Sequence, residues 1–213
     1  MSKLLLDRRA LLVTGISAVT LGACSDVIGP PAAAPMYLLR PQFPPATHGP
    51  RVNWQVSVTL PSAPESLDTD RIALVQPGNV MDYYANAQWS DRLPFLVQNA
   101  LVDAFEADNR ITAVGRDSDV LRSDYLLQTD IRDFEARYDV PDGIPTAVIR
   151  ISAKLIAAKG RTIAQITMAH AEVPASANSV PAAAAAFNEA LSSVIGQIVT
   201  WALTAPLPPR VAT

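Results

Sequence analysis

Apolar and polar residues alternate strictly from 52 to 60, where Val52, Trp54, Val56, Val58 and Leu60 interleave with Asn53, Gln55, Ser57 and Thr59. A period of two sends successive side chains to opposite faces, so this segment predicts a strand with one face on a core and the other toward water. Residues 71–76 and 80–84 read as two further strands joined by Pro77-Gly78-Asn79, a tight-turn sequence. The spacing then changes. Leu93, Leu96, Val97, Ala100, Leu101, Ala104 and Phe105 recur at helical intervals, with Ser90 or Asp91 as the expected cap and Pro94 in the first turn.

Residues 111–114 predict a short strand. Alternation returns in Tyr125, Leu127, Thr129 and Ile131, and again in Ala147, Ile149, Ile151, Ala153 and Leu155. Lys159-Gly160 is a hairpin turn into a third strand around 163–171. A final helix covers 181–203, where Phe187, Leu191, Val194, Ile198 and Trp201 share one face that reads as core. The order of strands, helix, strands and helix predicts an α+β fold in a single domain. Its expected form is a mostly antiparallel sheet with two helices packed on one face.

The N-terminus sets the compartment. Lys3, Arg8 and Arg9 precede an uncharged, mostly apolar run from Ala10 to Leu21, shorter than the roughly 20 residues a spanning helix needs. Together with Leu21-Gly22-Ala23-Cys24 this is a secretory signal ending in a lipobox. Cleavage falls between Ala23 and Cys24, and the Cys24 thiol takes the lipid. Cys24 is the only cysteine, so no internal disulfide can form, and acylation removes a free thiol from an oxidising compartment. Several acyl chains (palmitate among them), at about 0.8 kcal/mol per buried methylene, give a lasting anchor. Ser25 follows Cys24 and Asp26 comes one place later, an order that favours the outer membrane over retention in the inner one, facing the periplasm. Residues 7–12 weakly resemble a twin-arginine export signal, and the general route is preferred.

The expected organisation is a signal peptide at 1–23, a lipidated Pro/Ala-rich tether at 24–35, the domain at 36–204 and a flexible tail at 205–213. Proline keeps such a tether extended, at about 3.1 Å per residue. The leader carries away three basic residues and Asp7, so the formal charge moves from −3 to −5. An acidic chain without a basic stripe argues against nucleic acid as a partner.

Chemical motifs are sparse. His48 in a Pro-rich loop and His170 in a predicted strand are the only histidines, too few and too far apart for an expected metal site. There is no Gly-x-Ser-x-Gly elbow and no phosphate-binding loop. Asp117, Asp119, Asp124, Asp130, Asp133, Glu135 and Asp139 interleave with Arg116, Arg122, Arg132 and Arg137, as solvated faces do. No cofactor and no enzymatic activity are expected. Tyr83, Tyr84 and Trp89 form a candidate partner-contact cluster, against which stands the reading that Trp89 packs beside Leu93 at the start of the helix. Trp54 is expected in the core.

Taken in order, the lipobox, Tyr37-Leu38-Leu39, the strand ending in Leu60-Pro61, Leu67-Asp68-Thr69-Asp70-Arg71-Ile72, and Tyr83-Tyr84 before Gln88-Trp89-Ser90-Asp91-Arg92-Leu93-Pro94 resemble one family. It is the ABC-type transport auxiliary lipoproteins, the PqiC-like group associated with MCE lipid-transport systems. Ser90 and Asp91 stand where that family often has Ala-Glu, and Pro94 sits later. The resemblance implies a lipoprotein that docks the MCE-domain protein of an ABC transporter at the outer membrane, with phospholipid or another lipid as cargo. It leaves a homo-oligomer open, since relatives of this kind can assemble as rings. The alternative is a carrier lipoprotein with its own apolar cavity.

Overall fold

The longest alternating stretches build the centre of the sheet. In the computed structural model, which describes residues 34–43, 49–119 and 122–206, β6 (Tyr125–Arg137), β7 (Thr146–Ala157) and β8 (Thr162–Pro174) form an antiparallel meander. Tyr125, Leu127, Thr129 and Ile131 of β6 lie opposite Ala157, Leu155, Ala153 and Ile151 of β7, and all eight are buried. A register shift between Ile131 and Asp133 then inserts an extra residue. Such a bulge reverses the inward parity. Phe134 and Ala136 face the core beyond it, while Asp133 and Glu135 face out.

On its other side β6 forks. Near its start it pairs with β2 (Gln55–Val58), which in turn carries β5 (Ala113–Arg116). Near its end it pairs with β3 (Arg71–Gln76), followed by β4 (Val80–Trp89) and β1 (Met36–Tyr37). The sheet has eight strands and is mixed, which corrects the mostly antiparallel expectation. The β1–β4, β2–β5, β2–β6 and β3–β6 pairings are parallel, and three pairings are antiparallel. The reason is connectivity. Short turns announce antiparallel neighbours, whereas parallel neighbours need long crossovers, here supplied by the β3–β4 hairpin and the first helix. The expectation that the polar side of residues 52–60 meets water also fails at Ser57. It is 2% exposed, because β2 lies inside the sheet with Leu126 beside it.

Helix α1 (Leu93–Asp108) begins after Arg92, with no side-chain cap from Ser90 or Asp91. The first-turn donors are met otherwise: Leu93 donates to the Thr69 carbonyl at 3.0 Å, and Pro94 has no N–H to satisfy. The helix closes at Asn109, whose left-handed backbone (φ 57°) turns its N–H back to the Phe105 carbonyl. Helix α2 (Val180–Ala202) is capped by the Ser179 hydroxyl, which accepts from Ala182 N at 3.4 Å. By length and composition α2 could cross a membrane. Its apolar stripe is instead packed into the domain, with Phe187, Leu191, Val194 and Ile198 fully buried.

The two helices touch each other, and α2 lies along β7 and β8. Three rings lock the layers together. Phe187 stacks on Phe134 with centroids 5.0 Å apart, and Trp89 meets Phe187 edge-on at 5.4 Å and Phe134 at 6.1 Å. Trp54 is in the core, edge-on to Tyr125, and donates to the Ala205 carbonyl. Tyr125 donates to Pro206 O at 2.6 Å. These two contacts engage the carbonyls of Ala205 and Pro206, and the rest of the expected tail, 207–213, lies outside the described residues.

Candidate functional site

The structure divides the aromatic cluster proposed from the sequence. Trp89 is 1% exposed and belongs to the ring stack between helices and sheet. Its neighbours on β4 are half-buried. The Tyr83 ring lies under the Arg71 guanidinium at 3.5 Å, and its hydroxyl donates to the Ser66 carbonyl at 3.0 Å. The Tyr84 hydroxyl meets that of Tyr138 at 2.9 Å; Tyr138 donates to Asn178 Oδ1, and Asn178 donates to the Asp142 carbonyl. Burial, and then the Tyr138 hydroxyl, push the Tyr84 phenol far above its ordinary value. Tyr84 is thus a neutral link in a polar chain tying β4 to the loops before β7 and α2. Cys24, Ala23 and the tether up to Ala33 lie outside the described residues, as does His48.

Sequence reasoning missed the outward face of the meander. Residues paired across antiparallel strands share a face, and no helix covers this one among the described residues. The pairing brings Asp133, Arg150 and His170 into one row and Glu135, Val148 and Glu172 into the next. Arg150 Nε contacts Asp133 at 2.6 Å; Arg137 reaches Glu135 at 3.3 Å and Glu172 at 3.6 Å. His170 Nε2 lies 3.3 Å from Glu172. His170 is exposed in β8, in keeping with an ordinary strand residue.

Glu135 breaks the expected pattern of solvated carboxylates, being only 9% exposed. The bulge places it beside Asp133 and opposite buried Val148. Burial first, and the Asp133 charge second, raise its carboxyl above the usual range, while Arg137 and the Phe134 N–H pull the other way. Each carboxylate in this network faces a cation. No group of three or more potential metal ligands occurs among the described residues. An open depression of about 290 Å³ lies between the end of α1 and β5, lined by Phe105, Glu106, Asn109, Ile111 and Val114 among others.

Comparison with known proteins fits this architecture. Residues 37–199 match the family model described as the ABC-type transport auxiliary lipoprotein component. The chain belongs to this family of auxiliary lipoproteins. The family is described as lipoproteins auxiliary to ABC-type transport. Among solved structures, protein XCC0632 from Xanthomonas campestris is 32% identical, with a TM-score of 0.75 over 80% of this chain and 95% of that one. A second solved structure, of an uncharacterized protein, is 16% identical with a TM-score of 0.60 over 76% of this chain and 99% of the other, and shares the fold. An uncharacterized protein of Bradyrhizobium diazoefficiens is 29% identical over 150 residues, 70% of this auxiliary lipoprotein. The match spans only 40% of that relative's length.

Proposed function

We propose that the protein is an outer-membrane lipoprotein, held by acyl groups on Cys24 and facing the periplasm, which docks the MCE-domain component of an ABC-type lipid transporter. It acts by position and contact and performs no covalent chemistry. The observation carrying this reading is the family match across 37–199. The lipobox at Leu21-Gly22-Ala23-Cys24, with Ser25 following it, supports acylation and outer-membrane sorting. The uncovered, charge-patterned face of β6–β8 supports a contact role.

The alternative, a carrier with its own lipid cavity, calls for space between helices and sheet. Trp89, Phe134 and Phe187 are buried together in that layer, so it gains no support there. The docking reading is tested by affinity purification of the tagged lipoprotein from detergent-solubilised envelopes. Recovery of an MCE-domain protein with its permease and ATPase is the expected result. Repeated recovery of the lipoprotein without any transport component overturns it, and stoichiometric co-purifying lipid transfers support to the carrier.

A further inference from the structure

The tip of the β7–β8 hairpin differs in character from the rest of the molecule. The chain has a formal charge of −3 and three lysines. Two of these, Lys154 and Lys159, sit at this hairpin together with Arg161. None of the three has a carboxylate partner among the described residues. The neighbouring acid, Asp124, held beside the turn by the bond from Ala158 N to its carbonyl, already accepts from the Gln55 N–H at 2.9 Å.

Next to these cations lies an exposed apolar strip. Ile163 pairs with Ile156, Ile166 with Lys154, and Met168 with Ser152. All three therefore project from the uncovered face of β8, an edge strand. They are 54%, 59% and 52% exposed. Ile156 and Leu126 continue the strip inward across β7 and β6. Contiguous exposed apolar side chains on a soluble domain mark an interaction surface, and a lysine stem can lie along such a strip with its ammonium reaching outward.

We propose that this hairpin tip is a membrane-docking element for an anionic phospholipid bilayer, with Ile163, Ile166 and Met168 entering the headgroup region and Lys154, Lys159 and Arg161 contacting lipid phosphates. Charge complementarity selects this occupant. Three unpaired cations on an otherwise acidic chain favour an anionic surface, and the adjoining isoleucines favour one with an apolar layer behind the charge. The inference does not depend on which transport component the protein serves.

The test uses the native acylated protein in proteoliposomes. Once Cys24 is acylated, a Cys introduced by Ile166→Cys is the only free thiol and takes a polarity-sensitive dye, with Glu189→Cys on the exposed side of α2 as the control position. In vesicles of phosphatidylcholine with phosphatidylglycerol, the dye at 166 shifts to the blue and is quenched by brominated lipid, while the dye at 189 is not. Pure phosphatidylcholine weakens the effect, and so does high salt. Each cation near an anionic surface contributes roughly fivefold to partitioning. Lys154→Gln, Lys159→Gln and Arg161→Gln combined therefore lower the docking equilibrium on the order of a hundredfold. Circular dichroism of that variant confirms an intact fold. Equal quenching at 166 and 189, no dependence on phosphatidylglycerol, or a blue shift that rises with protein concentration and not with lipid (a second copy covering β8) would each overturn the proposal. Recovery of the MCE protein is a separate readout, so failure here leaves the docking role standing and failure there leaves this one.

Discussion

Replacing Trp89 with Ala separates a partner-facing aromatic from a structural one. The indole is 1% exposed and contacts Phe187 at 5.4 Å and Phe134 at 6.1 Å, nearly perpendicular to both. Deleting a buried Trp or Phe side chain costs about 3–5 kcal/mol through lost transfer energy and the cavity left behind. Two edge-on ring contacts place Trp89→Ala toward the upper part of that range. A domain of this size is stable by about 5–15 kcal/mol, so from about a third to nearly all of the margin is consumed. With a urea m-value near 2 kcal/mol/M, the midpoint falls by roughly 2 M in unfolding followed by circular dichroism. Any loss of partner recovery follows that loss of folded protein. A Trp89→Ala protein with a midpoint within about 0.3 M of the parent that still fails to recover its partner would refute the buried assignment.

Three further predictions test other parts of the structure. The raised Glu135 carboxyl means that the folded state holds its proton more tightly than the unfolded state, so this group favours folding at low pH and lowers stability as pH rises through the folded pKa. Glu135→Gln accordingly raises the thermal midpoint at neutral pH, and the gain disappears below about the ordinary glutamate value of 4.5; a gain that grows on acidification contradicts the assignment. Tyr138→Phe strands the Tyr84 hydroxyl and Asn178 Oδ1, costing about 1–3 kcal/mol in a denaturant titration, whereas a cost under about 0.5 kcal/mol would mean the polar chain does not hold those loops. Ser179→Ala removes the α2 cap, and because that bond is long, at 3.4 Å, the loss is about 0.5–1 kcal/mol; protection of the first α2 amides in hydrogen exchange falls with it, and unchanged protection would argue against a capping role.

Where a single physical rule governs a stretch, the fold was legible in the sequence. Alternation from Tyr125 to Ile131 and from Ala147 to Leu155 placed two central strands, and the spacing of Phe187, Leu191, Val194 and Ile198 placed the buried stripe of α2. Legibility ends at Ile131, where the bulge reverses parity and gives Phe134 to the core and Glu135 to a buried position on the opposite side. Nothing local in Arg132-Asp133-Phe134 announces that slip. The parallel pairings of β2 with β5 and β6 were hidden because they join segments separated by a hairpin and a helix, and no turn sequence marks them. The cap at Ser179 lies where polar residues precede α2, while α1 replaces a side-chain cap with a tertiary bond from Leu93 to Thr69 that only the folded chain supplies.

The candidate surface was less legible than the fold. Tyr83, Tyr84 and Trp89 are close in sequence, but Trp89 turns into the core at the end of β4 and the tyrosines are engaged by Ser66, Arg71 and Tyr138. The outward rows Asp133–Arg150–His170 and Glu135–Val148–Glu172 draw on three strands, so only strand register reveals them. The exposure of Ile163, Ile166 and Met168 likewise follows from β8 being an edge with an uncovered face. A strand of alternating apolar residues reads the same whether its apolar side is covered or bare.

Intact mass analysis of the chain purified from bacterial envelopes, paired with separation of inner and outer membranes, tests the central claim most directly. The account predicts a polypeptide beginning at Cys24, heavier than its sequence by acyl groups and banding with the outer membrane. A chain with an unmodified Cys24 thiol, or one recovered in the soluble periplasmic fraction, would contradict it.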